Sequence, residues 1–228
     1  IKKNPMYSIS TYFKILRGIY QKKSLCRILQ NFEAEKITIA GKVIEFGAHP
    51  FSKNNFSNIA KKKRIKIIHY SDKNIKYKNV INVDLNKKIN LKKNYYDTVI
   101  FFNVMEHLIN PYNANKEIYK IMKRKGVLIG STPFLYRFHA APSDYLRFTK
   151  PFLTIFFKKN FRSIKIKNLG FGPFCLSYSF LSDFTKKIPF LNLLLFSIAY
   201  FFDFILNLLT KYDLKDIYPI AIYFKVNK

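Results

Sequence analysis

Five short apolar runs rich in β-branched residues recur along this chain, each closed by a polar or turn residue and separated from the next by room for a helix. They lie at residues 42–46, 64–69, 79–83, 97–103 and 126–130. Strands that are apolar without alternation are buried on both faces, which is the signature of a parallel sheet with helices packed above and below. The expected fold class is therefore α/β, a doubly wound sheet. Residues 113–125 read as one of its helices. Ala114, Ile118, Ile121 and Met122 fall on one stripe, and Lys120, Lys123 and Arg124 sit in the last turn, where the helix dipole favours cations. Two more strands are expected at 163–168 and 218–226. Residues 6–29 mix Lys14, Arg17, Lys22 and Lys23 into an apolar pattern, which predicts an amphipathic helix and not a signal peptide. With 228 residues and no low-complexity linker, a single domain is expected. Its parts are a helical region at 1–35, a ligand-binding core at 40–170, an apolar helical insertion at 174–215 and a final strand at 218–226.

The insertion contains the longest apolar run, 188–209. As a helix it would measure about 33 Å, enough to span a bilayer. Topology opposes a crossing, because a single pass would separate the two strands that flank it. At 100° per residue, Asn192, Asp203, Asn207 and Thr210 fall within about 60° of one another, a thin polar stripe on an apolar cylinder. Lys186, Lys187 and Lys211 flank it. This pattern predicts a helix lying in a membrane interface, with Leu194, Phe196 and Phe201 on its lipid-facing surface.

Lys and Arg number 41 against 13 acids, a net charge of +28. Nucleic acid, an anionic leaflet and an anionic substrate all suit that charge. Much of it follows from a general bias toward Lys, Asn, Ile, Phe and Tyr, whose codons are A/T-rich. Nucleic acid is the least expected partner, since Arg is scarce and no interleaved aromatic–basic recognition motif occurs. Two cysteines, Cys26 and Cys175, supply neither a disulfide framework nor a metal-ligand spacing, so a reducing, cytoplasmic setting and no metal are expected.

Four groups of residues carry chemistry. Glu45 and Gly47 end the first strand, where a glycine turn lets a nucleotide-like ligand approach the backbone. The phosphate cradles of dinucleotide and triphosphate sites are both missing, and an acid before the glycine suits an ammonium-bearing ligand better than a pyrophosphate. Asp72 and Asp84 end the next two strands, where carboxylates can accept from ribose hydroxyls and from an adenine amino group. Asn103, Glu106 and His107 follow the fourth. After the fifth come His139, Asp144, Tyr145 and Arg147, too dense a set of hydrogen-bonding groups for an ordinary loop.

The order glutamate–x–glycine, then Val-Asp-Leu at 83–85, then the run from Tyr96 to Pro133, resembles the class I S-adenosylmethionine-dependent methyltransferases, in particular the bacterial ubiquinone-type group. The likeness covers residues 40–170 and departs from the family at His49, where a glycine is usual. It implies a Rossmann-like sheet of seven strands, mostly parallel, with the last antiparallel. It also implies S-adenosylmethionine as cofactor, its amino-acid end held by Glu45 and Gly47, its ribose by Asp72 and its adenine by Asp84, with Asn103 beside it. The segment at 139–149 resembles one found in family members near cell-surface polysaccharide functions. On this reading His139, and next His107, would take the proton of an acceptor oxygen. Glu106, Asp144, Tyr145 and Arg147 would orient the acceptor, a small molecule or a lipid-linked one at the inner face of the membrane. The alternative is a catalytically silent Rossmann-like scaffold that binds a partner or a membrane.

Overall fold

The computed structural model describes residues 8–71, 76–140 and 143–228. In chain order the elements are α1 (Ile9–Tyr20), α2 (Leu25–Glu35), β1 (Thr38–Phe46), α3 (Phe56–Ile59), β2 (Lys61–Ser71), β3 (Val80–Ile81), β4 (Tyr96–Phe102), α4 (Pro111–Ile121), β5 (Met122–Pro133), α5 (Lys150–Lys158), β6 (Ser163–Leu169), α6 (Pro173–Thr185), α7 (Pro189–Leu209), α8 (Leu214–Ile217) and β7 (Ala221–Asn227). They form two compact units. One comprises Glu33–Thr132, Phe138–Lys167 and Ile222–Lys228. The other comprises the chain before Glu33 together with Pro133–Arg137 and Asn168–Ala221.

The seven strands make one sheet in the order β3-β2-β1-β4-β5-β7-β6. Strands β1 to β5 pair in parallel, with Ile44 opposite His69 and Val99, and Phe102 opposite Ser131. The last strand runs the other way. Lys125 donates its backbone N–H to Lys228 and Lys228 donates back to Gly126, while on the opposite side Arg162 donates to Asn227. Val43, Ile44, Val99, Ile100, Leu128 and Ile129 are all buried, which accounts for the unbroken apolar runs.

Three expected boundaries shift. The helix foreseen at 113–125 starts at Pro111, capped by the Asn110 side chain, and stops at Ile121. Met122, Lys123 and Arg124 belong to β5, where Lys123 reaches Asp97 at 2.8 Å. A charge pair between strands outweighs the dipole term that placed these residues in a helix. The helix foreseen at 6–29 is broken into α1 and α2 at Lys22, whose φ is +60°. Strand β3, foreseen over 79–83, is Val80–Ile81, set opposite Tyr70 and Ser71.

In the second unit α7 packs inside out relative to an ordinary surface helix. Its buried residues are Asn192, Phe196, Ala199 and Asp203, so the polar stripe faces the protein. The Asn192 side-chain oxygen accepts from the Tyr178 and Thr185 hydroxyls at 3.1 and 2.9 Å. The Asp203 carboxylate accepts from the backbone N–H groups of Phe174 and Cys175 at 3.0 and 2.8 Å, satisfying the first turn of α6. Burial raises the Asp203 carboxyl above the usual carboxylate range, and those donors pull it back. A side chain at Gly172 would meet the Asp203 carboxylate at 2.4 Å, so only glycine lets the two elements close. Phe196, expected on the lipid-facing surface, is instead fully buried against Tyr12, Tyr178 and Tyr200. We expect Asp203→Ala to cost roughly 2–3 kcal/mol, because it strands buried backbone donors. Thermal unfolding followed by circular dichroism should show Tm falling by about 5–10 °C; an unchanged Tm would mean that the capping is dispensable.

Candidate active site

Parallel pairing brings the ends of β1, β4 and β5 to one edge of the sheet, and most of the chemistry-bearing residues lie there. Gly47, directly after β1, has φ +68°, and a Cβ there would meet Val104 at 2.9 Å. Asn103, directly after β4, also lies in the left-handed region, at φ +54°. Its N–H donates to the Ser131 carbonyl on β5. Asparagine is one of the few non-glycine types that adopts this conformation readily, and here it turns the chain at the end of β4 beside the glycine turn after β1.

Glu45 is buried and its two oxygens accept from the backbone N–H groups of Phe56 and Ser57 at 2.7 and 3.0 Å. The carboxylate thus shapes the turn around Gly47 and does not point outward. His49 belongs to the same turn: its Nδ1 accepts from the Phe51 N–H at 3.3 Å and its carbonyl accepts from the Asn55 side chain at 2.6 Å. Phe51 and Tyr77, both exposed, meet edge to face at 5.0 Å. That aromatic surface, beyond the glycine turn, carries no spacing signal in the sequence. Asp84 is half-buried, and one of its oxygens accepts from the Asn86 N–H at 3.0 Å. Asp72, expected at the ribose, lies outside the described residues.

The second cluster forms where a short 3₁₀ turn after β4 (Met105–His107) meets the loop after β5. Glu106 is 0% exposed. Its Oε2 accepts from the Thr132 hydroxyl at 3.3 Å, and its carbonyl accepts from the N–H groups of Tyr145 and Leu146, tying the loop down. Its Oε1 has no hydrogen-bond partner among the described residues. Facing that oxygen are His107 Nε2 at 3.8 Å and His139 Nε2 at 3.7 Å. The two rings cross edge to face, 5.0 Å apart. Sequence reasoning singled out all three residues but not their convergence, since 32 positions separate His107 from His139. Thr132 and Ser143 join the cluster with no signal beyond their place in the loop.

Behind His139 stands Asp144. Its carboxylate accepts from the His139 N–H at 2.9 Å and faces His139 Nδ1 at 3.1 Å. Arg147 grips both of its oxygens, one at 2.6 Å, and this pairing holds the carboxyl down at about 2. Asp144 and Arg147, expected to orient an acceptor, are thus engaged with each other and with His139. Tyr145 is exposed on the same loop.

A family model described as a methyltransferase domain matches residues 54–130. No curated protein matches the chain. Among solved structures, an S-adenosylmethionine-dependent methyltransferase from Archaeoglobus fulgidus is 14% identical with a TM-score of 0.54, over 94% of this chain and 99% of that one. Phosphoethanolamine N-methyltransferase 2 of Haemonchus contortus, in complex with S-adenosyl-L-methionine, is 14% identical at a TM-score of 0.52. That match spans 87% of this chain and 52% of the other. A putative S-adenosylmethionine-dependent methyltransferase from Listeria monocytogenes is 12% identical at 0.53, over 90% and 98%. The chain thus has the class I S-adenosylmethionine-dependent methyltransferase fold, with a methyltransferase domain matched over residues 54–130.

Proposed function

We propose that this protein moves a methyl group from S-adenosylmethionine to a hydroxyl of a sugar, a polysaccharide precursor or a lipid-linked acceptor at a membrane surface. One observation carries the reading: the left-handed turns at Gly47 and Asn103 share their sheet edge with a buried carboxylate and two imidazoles. The first would receive the cofactor and the second the acceptor. Displacement at the sulfonium methyl asks the protein mainly to align donor and acceptor and to exclude water. The acceptor oxygen must also lose its proton. His139 is the ring better placed to meet it, its side chain being 23% exposed against 12% for His107.

The membrane part of the proposal rests on α7. This helix is long and apolar enough to cross a bilayer. Its outward face carries Phe190 at 82% and Leu209 at 79% exposure, and Phe184 at the end of α6 is 83% exposed. Flanking strands β6 and β7 are neighbours in one sheet, which argues for a helix lying on the bilayer and against one passing through it. Lys186, Lys187 and Lys211 would face an anionic leaflet.

A silent scaffold remains the second reading, favoured by one observation: Glu45 is engaged with backbone donors and His49 fills the position of a usual glycine. Calorimetry with S-adenosylhomocysteine separates the two. We expect saturable binding by the unmodified protein. Gly47→Ala should weaken it about 10-fold or more, since it adds a clash and a left-handed backbone penalty of about 1–2 kcal/mol. No heat from the folded, unmodified protein would leave only the scaffold reading.

A further inference from the structure

We propose that Glu106, His107 and His139 form a binding site for a divalent transition-metal cation of the zinc class. The Ser143 carbonyl lies 2.6 Å from His107 Nδ1, and a carbonyl can only accept, so that nitrogen carries the hydrogen. Nε2 is therefore the ring nitrogen that can offer a lone pair to a ligand. For His139 the matching contact is to Asp144, a carboxylate gripped by Arg147 that lies 3.1 Å from Nδ1 and leaves Nε2 to face Glu106. The two Nε2 atoms thus lie 3.8 and 3.7 Å from Glu106 Oε1, a fully buried carboxylate oxygen with no hydrogen-bond partner among the described residues.

Two imidazole nitrogens and a carboxylate oxygen this close together need a shared proton or a cation between them, and at 3.7 and 3.8 Å the nitrogens stand too far from Oε1 for a direct hydrogen bond. A buried, unpartnered carboxylate oxygen costs several kcal/mol when isolated. A cation removes that desolvation cost. The three ligand atoms lie within 4.8 Å of one another. Ligands about 2.1 Å from a tetrahedral ion stand about 3.4 Å apart, so small side-chain rotations suffice. Two imidazoles and one carboxylate select zinc-class ions over calcium or magnesium, which prefer oxygen. The outer partners match as well: a backbone carbonyl behind one histidine and a carboxylate behind the other are what fix ring orientation and basicity at metal centres. Three protein ligands leave a fourth position open on the side where His139 is exposed, for water or an acceptor oxygen.

The site needs only these side chains, so the inference does not depend on methyl transfer. If both hold, an acceptor oxygen would lose its proton more readily on the ion, and the His139 ring would serve as a ligand. The probe is Co²⁺, titrated into chelator-treated protein while visible absorption is recorded. We expect one equivalent per chain, an intense low-symmetry spectrum, and displacement by Zn²⁺. Glu106→Gln and His139→Ala should abolish the signal. Asp144→Asn should weaken binding about 10–100-fold, and His49→Ala should leave it intact. Circular dichroism confirms that each variant is folded. No stoichiometric Co²⁺ uptake by the unmodified protein overturns the inference, as does unchanged uptake by folded Glu106→Gln. The latter would mean that a proton, not a metal, satisfies the cluster. S-adenosylhomocysteine binding measured on the same samples reports separately on the methyltransferase reading.

Discussion

His139→Ala should lower turnover by about 10²–10⁴-fold while leaving affinity for S-adenosylhomocysteine nearly unchanged. The asymmetry follows from position. His139 stands in the loop after β5, against Glu106 and Asp144, whereas the cofactor end of the site is built from the turns after β1 and β4. Removing the ring takes away either the group that receives the acceptor proton or a ligand to the ion that would acidify it, and both losses fall on the chemical step. The measurement is transfer of labelled methyl from S-adenosylmethionine into a membrane lipid extract, alongside calorimetry for the cofactor. Parallel losses in turnover and cofactor affinity would show that His139 is structural.

The second large effect concerns vesicles. We expect the unmodified protein to sediment with anionic vesicles, and the combined change Leu194→Ser, Phe201→Ser and Leu208→Ser to release it. These three side chains are more than half exposed on the outer face of α7. Burying one fully is worth about 1.5–3 kcal/mol. Even partial insertion of three gives roughly 4 kcal/mol, about 10³-fold in partitioning. Each flanking lysine adds about 1 kcal/mol toward anionic lipid. High salt should therefore release the protein only in part, since screening leaves the apolar term untouched. The triple variant should keep its Tm, whereas Phe196→Ser, in the core of the same helix, should not. If the folded, unmodified protein stays in the supernatant with anionic and neutral vesicles alike, the membrane reading fails.

What could be read in advance divides along physical lines. The strands were legible because burial on both faces leaves an unbroken apolar run, as at Val99 and Ile100. The end of α4 was not, because Lys123 suits a helix terminus and a cross-strand pair equally, and Asp97 decides between them only in three dimensions. The polar stripe of α7 was legible from its angular spacing. Its direction was not, since periodicity says which residues share a face but not what that face meets. Asp203 and Asn192 turn inward because α6 offers donors that only they can satisfy. At the site, Glu45, Gly47, Asp84, Glu106 and both histidines were visible as residue types at strand ends. The left-handed turn at Asn103 and the approach of His139 to Glu106 depend on loop closure, which spacing does not encode.

The excursion from β6 through α8 begins and ends at a hydrogen bond, the Ile220 N–H donating to the Leu169 carbonyl at 2.8 Å. About 50 residues lie between those two groups, and the entropy of closing such a loop rises only logarithmically with its length. Doubling or halving the excursion would change that cost by only about 0.6 kcal/mol. Closure entropy thus sets no length for the chain between the two strands; its own contacts at Tyr178, Asn192 and Asp203 do, while the sheet edge that carries Gly47, Asn103 and Glu106 is held elsewhere, by β1, β4 and β5. In an evolving lineage such an architecture separates two kinds of change: substitutions at the strand ends alter chemistry, and insertions or deletions between Leu169 and Ile220 alter what the outer helix touches.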